Sequence, residues 1–457
     1  MASSIQLDRS RRLLVLGAGR DQCFMLRCAR EMGVETLAID GNSDAPGFVL
    51  ADRSAVISNR DVQGILDYLV HTRTLIDGVS TMGSDIPHVV AEIAQALGVP
   101  GISPDSAGVA VDKFRMKECF SAAGILVPDY SLVSSLETLP GLLHRWDRMV
   151  IKPLNQAGSR GVSLVSSRRE LSEAFAQAVR YSEDGFVLAE RFLPGDQISS
   201  ESLIVAGRVY TPGLADRNYD DLETYLPQIL ENGGWVPSKY AADVASIDRT
   251  IESCAQALGI ENGVIKGDLV RCPDGQIAVI EVAARLSGGD FSESLVPLGT
   301  GVNYVKQVIR QSLGLPVEIE ALTPTRAQCV ANRYFFAKPG ELLSIEGAEA
   351  MRSKSWVEKL EFSFEVGDAL PDVESHGQRL GVFVVSGPDR ETVEQRIAEV
   401  YAAIRIHVAP REAEADVTKW KTIVPAHSQN AVNAADRRRA QNSQRLLTAA
   451  AHGAVRN

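Results

Sequence analysis

The chain has 457 residues, 45% of them hydrophobic and 23% charged, with a formal net charge of −11. That length exceeds a single hydrophobic core, so two to four domains are expected. The acidic balance excludes a general nucleic-acid binder, which needs a basic face, while leaving room for a local basic pocket. No segment reaches the ~18 apolar residues of a membrane span, so neither nucleic acid nor membrane is an expected partner.

The six cysteines, at positions 23, 28, 119, 254, 272 and 329, form no CxxC pair. This argues against structural zinc and suits a reducing compartment. The first apolar run, Leu13–Leu16, is too short for a signal peptide. A cytoplasmic protein is expected.

In chain order, residues 12–16 predict a buried strand, followed by Gly17-Ala18-Gly19 and a helix over 21–32. Strands over 34–39, 54–57 and 76–79 alternate with helices over 61–71 and 86–97. That rhythm implies a parallel sheet covered by helices. The Gly-Ala-Gly turn invites a dinucleotide reading, but Gln22 stands where the third glycine is needed, and a structural turn serves equally well. Beyond Pro128 strands dominate, over 148–152, 161–165, 186–190, 198–206 and a hairpin at 262–283. Helices are predicted over 168–181, 244–259 and 302–313. This grouping reads as an α+β unit. A third segment, 325–406, carries strands 327–336 and 379–386 and a closing helix 389–405. Residues 407–457 read as a flexible tail with a helix near 433–451.

The hairpin NGVIKGDLVRCPDGQIAVIEVA carries the strongest chemical signal. With residues 273–276 as its loop, Asp268 lies directly opposite Glu281 and Lys266 opposite Ala283. Facing carboxylates would stand about 5 Å apart and repel. A divalent cation removes that penalty, and Mg²⁺ carrying nucleotide phosphates suits two oxygen ligands. The alternative is two solvated carboxylates on an exposed face. Upstream, VIKP delivers Lys152 into a loop rich in Gly, Ser and Asn, whose N–H groups can cradle phosphate. FVLAERFLPGD (186–196) ends a strand with an acid and an aromatic, and Phe192 serves either as an adenine wall or as ordinary core.

In order and spacing, DKFRMKECFSAAGILVP (112–128), VIKP with its glycine loop, AERFLPG and GDLV…EVAARLSGG resemble the ATP-grasp superfamily. The resemblance covers residues 12–406 and is nearest the branch of biotin carboxylase-like folds and amino-acid ligases. It implies a Rossmann-like pre-ATP-grasp domain (1–111) and an ATP-grasp domain (112–324) whose small lobe spans 128–192. A C-terminal α+β lid-type subdomain (325–406) follows.

The implied activity is an ATP-dependent ligase that activates a small carboxylic acid as an acyl phosphate for an amine, releasing ADP and phosphate. A bicarbonate-using carboxylase and a nucleotide-binding regulator without turnover are the alternatives. ATP and one or two Mg²⁺ ions, with Mn²⁺ as a substitute, are the implied cofactors, and a homodimer is the candidate assembly. By the resemblance, Lys113 and Lys152 contact phosphates, and the flap 155–161 closes over them with Ser159, Arg160 and Gly161. Glu190, Arg191 and Phe192 form the adenine hinge, and Gln197 replaces the glutamate usual at the ribose. Asp268 and Glu281 hold metal, with Ala283 in place of a ligating asparagine. Arg285 stabilises the transferring phosphoryl group. Ser287, Gly288 and Gly289 offer N–H groups to a substrate carboxylate. In the polar segment 214–240, expected to be looped, Arg217 and Lys239 are candidates for an acidic substrate, as are Arg333 and Arg379 further on.

Overall fold

The computed structural model describes residues 10–410; the tail predicted from 411 onward, including its helix near 433–451, lies outside the described residues. Residues 407–410 are not tail: Arg405–Pro410 is a strand, paired with Gly340–Glu346 in a three-stranded sheet.

The first unit is the expected parallel sheet, with strands in the order Arg53–Val56, Glu35–Asp40, Arg12–Leu16, Gly78–Ser80. Its central strand is fully apolar beyond Arg12 because helices cover both faces, and Leu14, Leu16, Leu37 and Ile39 meet Ile65, Val89 and Ile93. The Gly-Ala-Gly turn is a structural one. Gln22 fills it, its side chain bonded to Met82 O and Ser84 Oγ, so a dinucleotide has no cradle there.

The small lobe is an antiparallel sheet ordered Tyr130–Val133, Val187–Arg191, Met149–Pro153, Ser163–Val165. Leu139, Leu143 and Trp146 from one helix and Leu171, Ala174 and Ala178 from another bury its apolar face. Eight strands form the large sheet, which runs continuously from Ile277–Ala283 through Cys329–Phe335 to Val357–Phe362. Strands Cys329–Phe335 and Gly381–Gly387 of the third segment are therefore hydrogen-bonded into the sheet that carries the hairpin. Segment 214–240, expected as loop, contains strand at its start and near its end: Arg208–Arg217 pairs with Asp196–Val205, and Gly234–Val236 joins Cys329–Phe335. Among the described residues no helix is long and apolar enough to cross a membrane.

Candidate active site

A cleft of about 620 Å³ opens between the small lobe, the large sheet and the C-terminal segment. Strand Met149–Pro153 delivers Lys152 into it, and the neighbouring strand delivers Glu190, 2.8 Å from the ammonium. Helix Lys113–Ala122 presents two lysines one turn apart, on the same face. Lys117 lies 3.2 Å from the other Glu190 oxygen and donates to Val279 O (3.2 Å) and Ile280 O (2.5 Å). Lys113 lies 3.5 Å from Glu281, which is also 3.9 Å from Lys152. Charges therefore alternate along a chain: Lys117, Glu190, Lys152, Glu281, Lys113.

The protonation states follow from that order. Burial raises the Glu281 carboxyl, but Lys113 and Lys152 overcome it and hold the group at about 2. For Glu190 burial again opposes, and Lys117 with Lys152 keeps it below the usual carboxylate range. Burial dominates at Lys117 and pushes it down to about 8 despite Glu190.

The hairpin register places Asp268 opposite Glu281 and Lys266 opposite Ala283, as expected. The expected repulsion, however, is already neutralised. Burial raises the Asp268 carboxyl, but Lys266 and Arg217, the latter 2.6 Å away, outweigh it and lower its pKa. Arg217 also grips Glu231, and Arg379 donates to the Glu231 carbonyl while stacking 3.6 Å over Tyr334. Protein cations thus offset both carboxylates, and their proximity alone is no evidence for a metal. Among the described residues no three His, Cys, Asp or Glu side chains gather as a metal cage.

At the hinge, Glu190 directs its side chain to the lysines. The sheet occupies the N–H groups of Arg191 (to Asp129 O, 2.8 Å) and Phe192 (to Arg148 O, 3.0 Å), so the open edge begins at Leu193. Arg148 stacks on Phe192 at 4.7 Å. Gln197, Ser159 and Arg160 line the cleft, but Gly161 lies outside its lining, in a turn packed against Tyr181. Lys239 is also elsewhere: it is half exposed, paired with Asp196 at 3.0 Å. Arg333 is buried against Trp235 and bonds backbone carbonyls, away from the cleft.

The Ser287-Gly288-Gly289 segment departs furthest from expectation. Ser287 donates to the buried Glu201 (2.5 Å), which also accepts from Tyr304 (2.6 Å). The Gly289 N–H goes to Asp21, at 3.2 Å, from the first helix of the chain. A Cβ at Gly83 would stand 2.3 Å, and at Gly288 2.4 Å, from the same Asp21 oxygen. A side chain at either position would collide with the Asp21 carboxylate, which takes the Gly289 N–H assigned to a substrate carboxylate. Burial raises its pKa, and Asp290 adds to the effect. Around it stand Arg285, 3.3 Å from Asp85, and Lys359, bonded to Asp290 (2.9 Å) and Glu293 (2.5 Å).

Asp21, Lys117, Glu231, Lys359 and His376 escaped the sequence reading. Only Lys117 left a signal, its four-residue spacing from Lys113.

A sequence profile described as the ATP-grasp domain matches residues 110–289, and one described as L-amino acid ligase C-terminal domain 2 matches 333–409. D-alanine–D-alanine ligase from Gloeobacter violaceus is 28% identical over 302 residues, 57% of this chain and 94% of the relative. Among solved structures, L-amino acid ligase from Bacillus licheniformis superposes with a TM-score of 0.73 at 21% identity, covering 88% of this chain and 100% of that one. Biotin carboxylase from Campylobacter jejuni gives 0.67 at 17%, over 88% and 92%. These structural likenesses are of fold. The matched profile, with lysines and facing carboxylates where four ordered motifs place them, gives this chain an ATP-grasp domain over residues 110–289.

Proposed function

We propose that the chain is an ATP-dependent ligase that activates the carboxylate of an amino acid and transfers the acyl group to an amine. The observation that carries this reading is the electrical division of one cleft. Lys113, Lys152, Lys266, Arg217 and Arg379 line one end, with Lys117 buried behind them, and outnumber Glu190, Glu281, Asp268 and Glu231. At the other end Asp21, Asp85, Asp290, Glu293 and Glu361 outnumber Arg20, Arg285 and Lys359. A triphosphate suits the first end and an ammonium group the second.

In this reading Lys113 and Lys152 hold phosphate oxygens and the hinge edge at Leu193 meets the base. Asp268 and Glu281 would hold Mg²⁺ as a two-carboxylate platform completed by phosphate and water. Bound there, the ion offsets charge on the phosphoryl oxygens. A substrate carboxylate oxygen attacks the γ-phosphorus and ADP leaves. The amine nitrogen then attacks the acyl carbon, phosphate leaves, and the nitrogen gives up a proton. Arg285 stabilises charge on the transferring group. Asp21 receives the ammonium of the amino acid being activated.

Amino acids supplied with Mg-ATP and hydroxylamine should yield a hydroxamate and stoichiometric ADP. ADP formed only with bicarbonate would replace this reading with a carboxylase, and absence of ADP with every acid would leave a nucleotide-binding regulator. Bicarbonate carries no ammonium, so the acidic end has no task in a carboxylase. Asp21→Asn should raise KM for the amino acid about 10- to 100-fold, the worth of one charge-assisted hydrogen bond, with KM for ATP unchanged. An equal rise for the matching acid without an amino group would refute the assignment of Asp21.

A further inference from the structure

The turn Glu374–Arg379 belongs to the C-terminal segment, yet it reaches the nucleotide end of the cleft. It is a stiff presenter. Ser375 and Gln378 form a capping box, and the N–H groups of Glu374 and Ser375 bond the Gln378 side chain at 2.8 and 2.7 Å. From it the His376 N–H donates to Gly158 O at 3.0 Å. Its ring Nε2 lies 3.1 Å from Ser159 Oγ and 3.4 Å from the Glu231 backbone nitrogen. Accepting from that N–H leaves the ring proton on Nδ1, so Nε2 also accepts from the serine hydroxyl.

Ser159 has φ of 60°, a left-handed conformation that a residue with a Cβ adopts only when its surroundings impose it. Besides the ring, the flap is tied by the Val162 N–H, which donates to Ser159 O at 3.3 Å, and by Lys113 Nζ, which donates to Gln156 O at 2.7 Å. Gly158 and Gly161 lie on either side of the residue, also at positive φ, and Arg160 turns back to the Ala157 carbonyl. We infer that His376 is a positioning residue that fastens the flap 155–161 over the cleft by holding Ser159 in this conformation. Burial, with Arg379, Arg217 and Lys266 nearby, keeps the imidazole well below its ordinary pKa. The acceptor nitrogen thus remains unprotonated around neutral pH. One imidazole ties three segments, the flap, the Glu231 strand connection and the C-terminal turn. The flap's service to nucleotide phosphates rests on the reading proposed above; the fastening does not.

Amide exchange of the ligand-free, full-length protein tests it. His376→Ala keeps the backbone bond to Gly158 and removes only the ring. Exchange of the two amides that donate to the flap, Val162 N–H to Ser159 O and the backbone N–H at position 376 to Gly158 O, should quicken about fivefold to tenfold, the share of one net hydrogen bond, with helix Leu171–Arg180 unchanged. Ser159→Ala should do the same, the double variant should add nothing further, and His376→Gln, whose amide oxygen can accept, should restore most of the protection. Unchanged flap exchange in His376→Ala, or equal loosening of Leu171–Arg180, overturns the assignment. Affinity for a non-hydrolysable ATP analogue with Mg²⁺ should fall in parallel with the flap. A loosened flap with undiminished affinity sinks the nucleotide-binding role of the flap and leaves the fastening intact.

Discussion

Arg285→Ala should lower hydroxamate formation by about 10²–10³ while changing ATP affinity less than twofold. The guanidinium lines the cleft, 13% exposed and 3.3 Å from Asp85. It makes no ion pair with the alternating chain on which Lys113 and Lys152 depend, so its loss leaves that chain in place. Asp85 is partly exposed and can be hydrated once its partner is gone, so the fold should survive. A ground-state contact would raise KM and spare kcat; a transition-state contact lowers kcat at unchanged KM. Arg285→Lys should recover only part of the loss, since an ammonium lacks the planar fork that spans two oxygens. Turnover within threefold of the parent would remove Arg285 from the chemistry.

The hairpin register was legible because side-chain alternation has a period of two, and an apolar strand tolerates no slip. Yet it came out right through two compensating differences. The last pair before the turn is Arg271 with Ile277, so the loop is one residue longer than expected, and a bulge at Ile280 restores the pairing by Asp268. Bulges next to functional sites re-aim side chains and leave no mark in composition. Strand Arg208–Arg217 was hidden for a related reason: Pro212 and Gly213 interrupt its alternation, and the register shifts there. The Gly288-Gly289 pair was visible, but not what fills it. Asp21 lies 268 positions away, and only tertiary packing brings it to Gly289. Likewise Ser159 and His376 are 217 residues apart, and no periodicity spans that distance. Motif order fixes which strands carry chemistry, whereas the partners that set charge and close the cleft come from other elements.

Glu281→Gln should lower turnover by at least about 10², as expected for loss of a carboxylate from a two-carboxylate platform. Its effect on stability distinguishes the charge arrangement found here from a bare pair of acids. If Asp268 and Glu281 simply faced each other, removing one charge would relieve repulsion and stabilise the protein without metal. Instead Glu281 lies 3.5 Å from Lys113 and 3.9 Å from Lys152, and Asp268 has Arg217 and Lys266 of its own. The neutral amide leaves Lys113 without its carboxylate and Lys152 with Glu190 alone, so stability at neutral pH should fall by roughly 1–3 kcal/mol. The sign with pH follows from a folded-state pKa of about 2 against an ordinary 4.5. Above pH 4.5 the carboxylate is charged in both states and its stabilisation is complete. As pH falls toward 2 the unfolded chain takes up the proton first, and that contribution drains away. Urea midpoints in magnesium-free buffer should therefore separate parent and variant at about pH 7 and converge as the pH is lowered toward 2. A variant as stable as the parent at neutral pH, or more stable, would mean that the lysines do not hold Glu281 and that repulsion from Asp268 governs the hairpin.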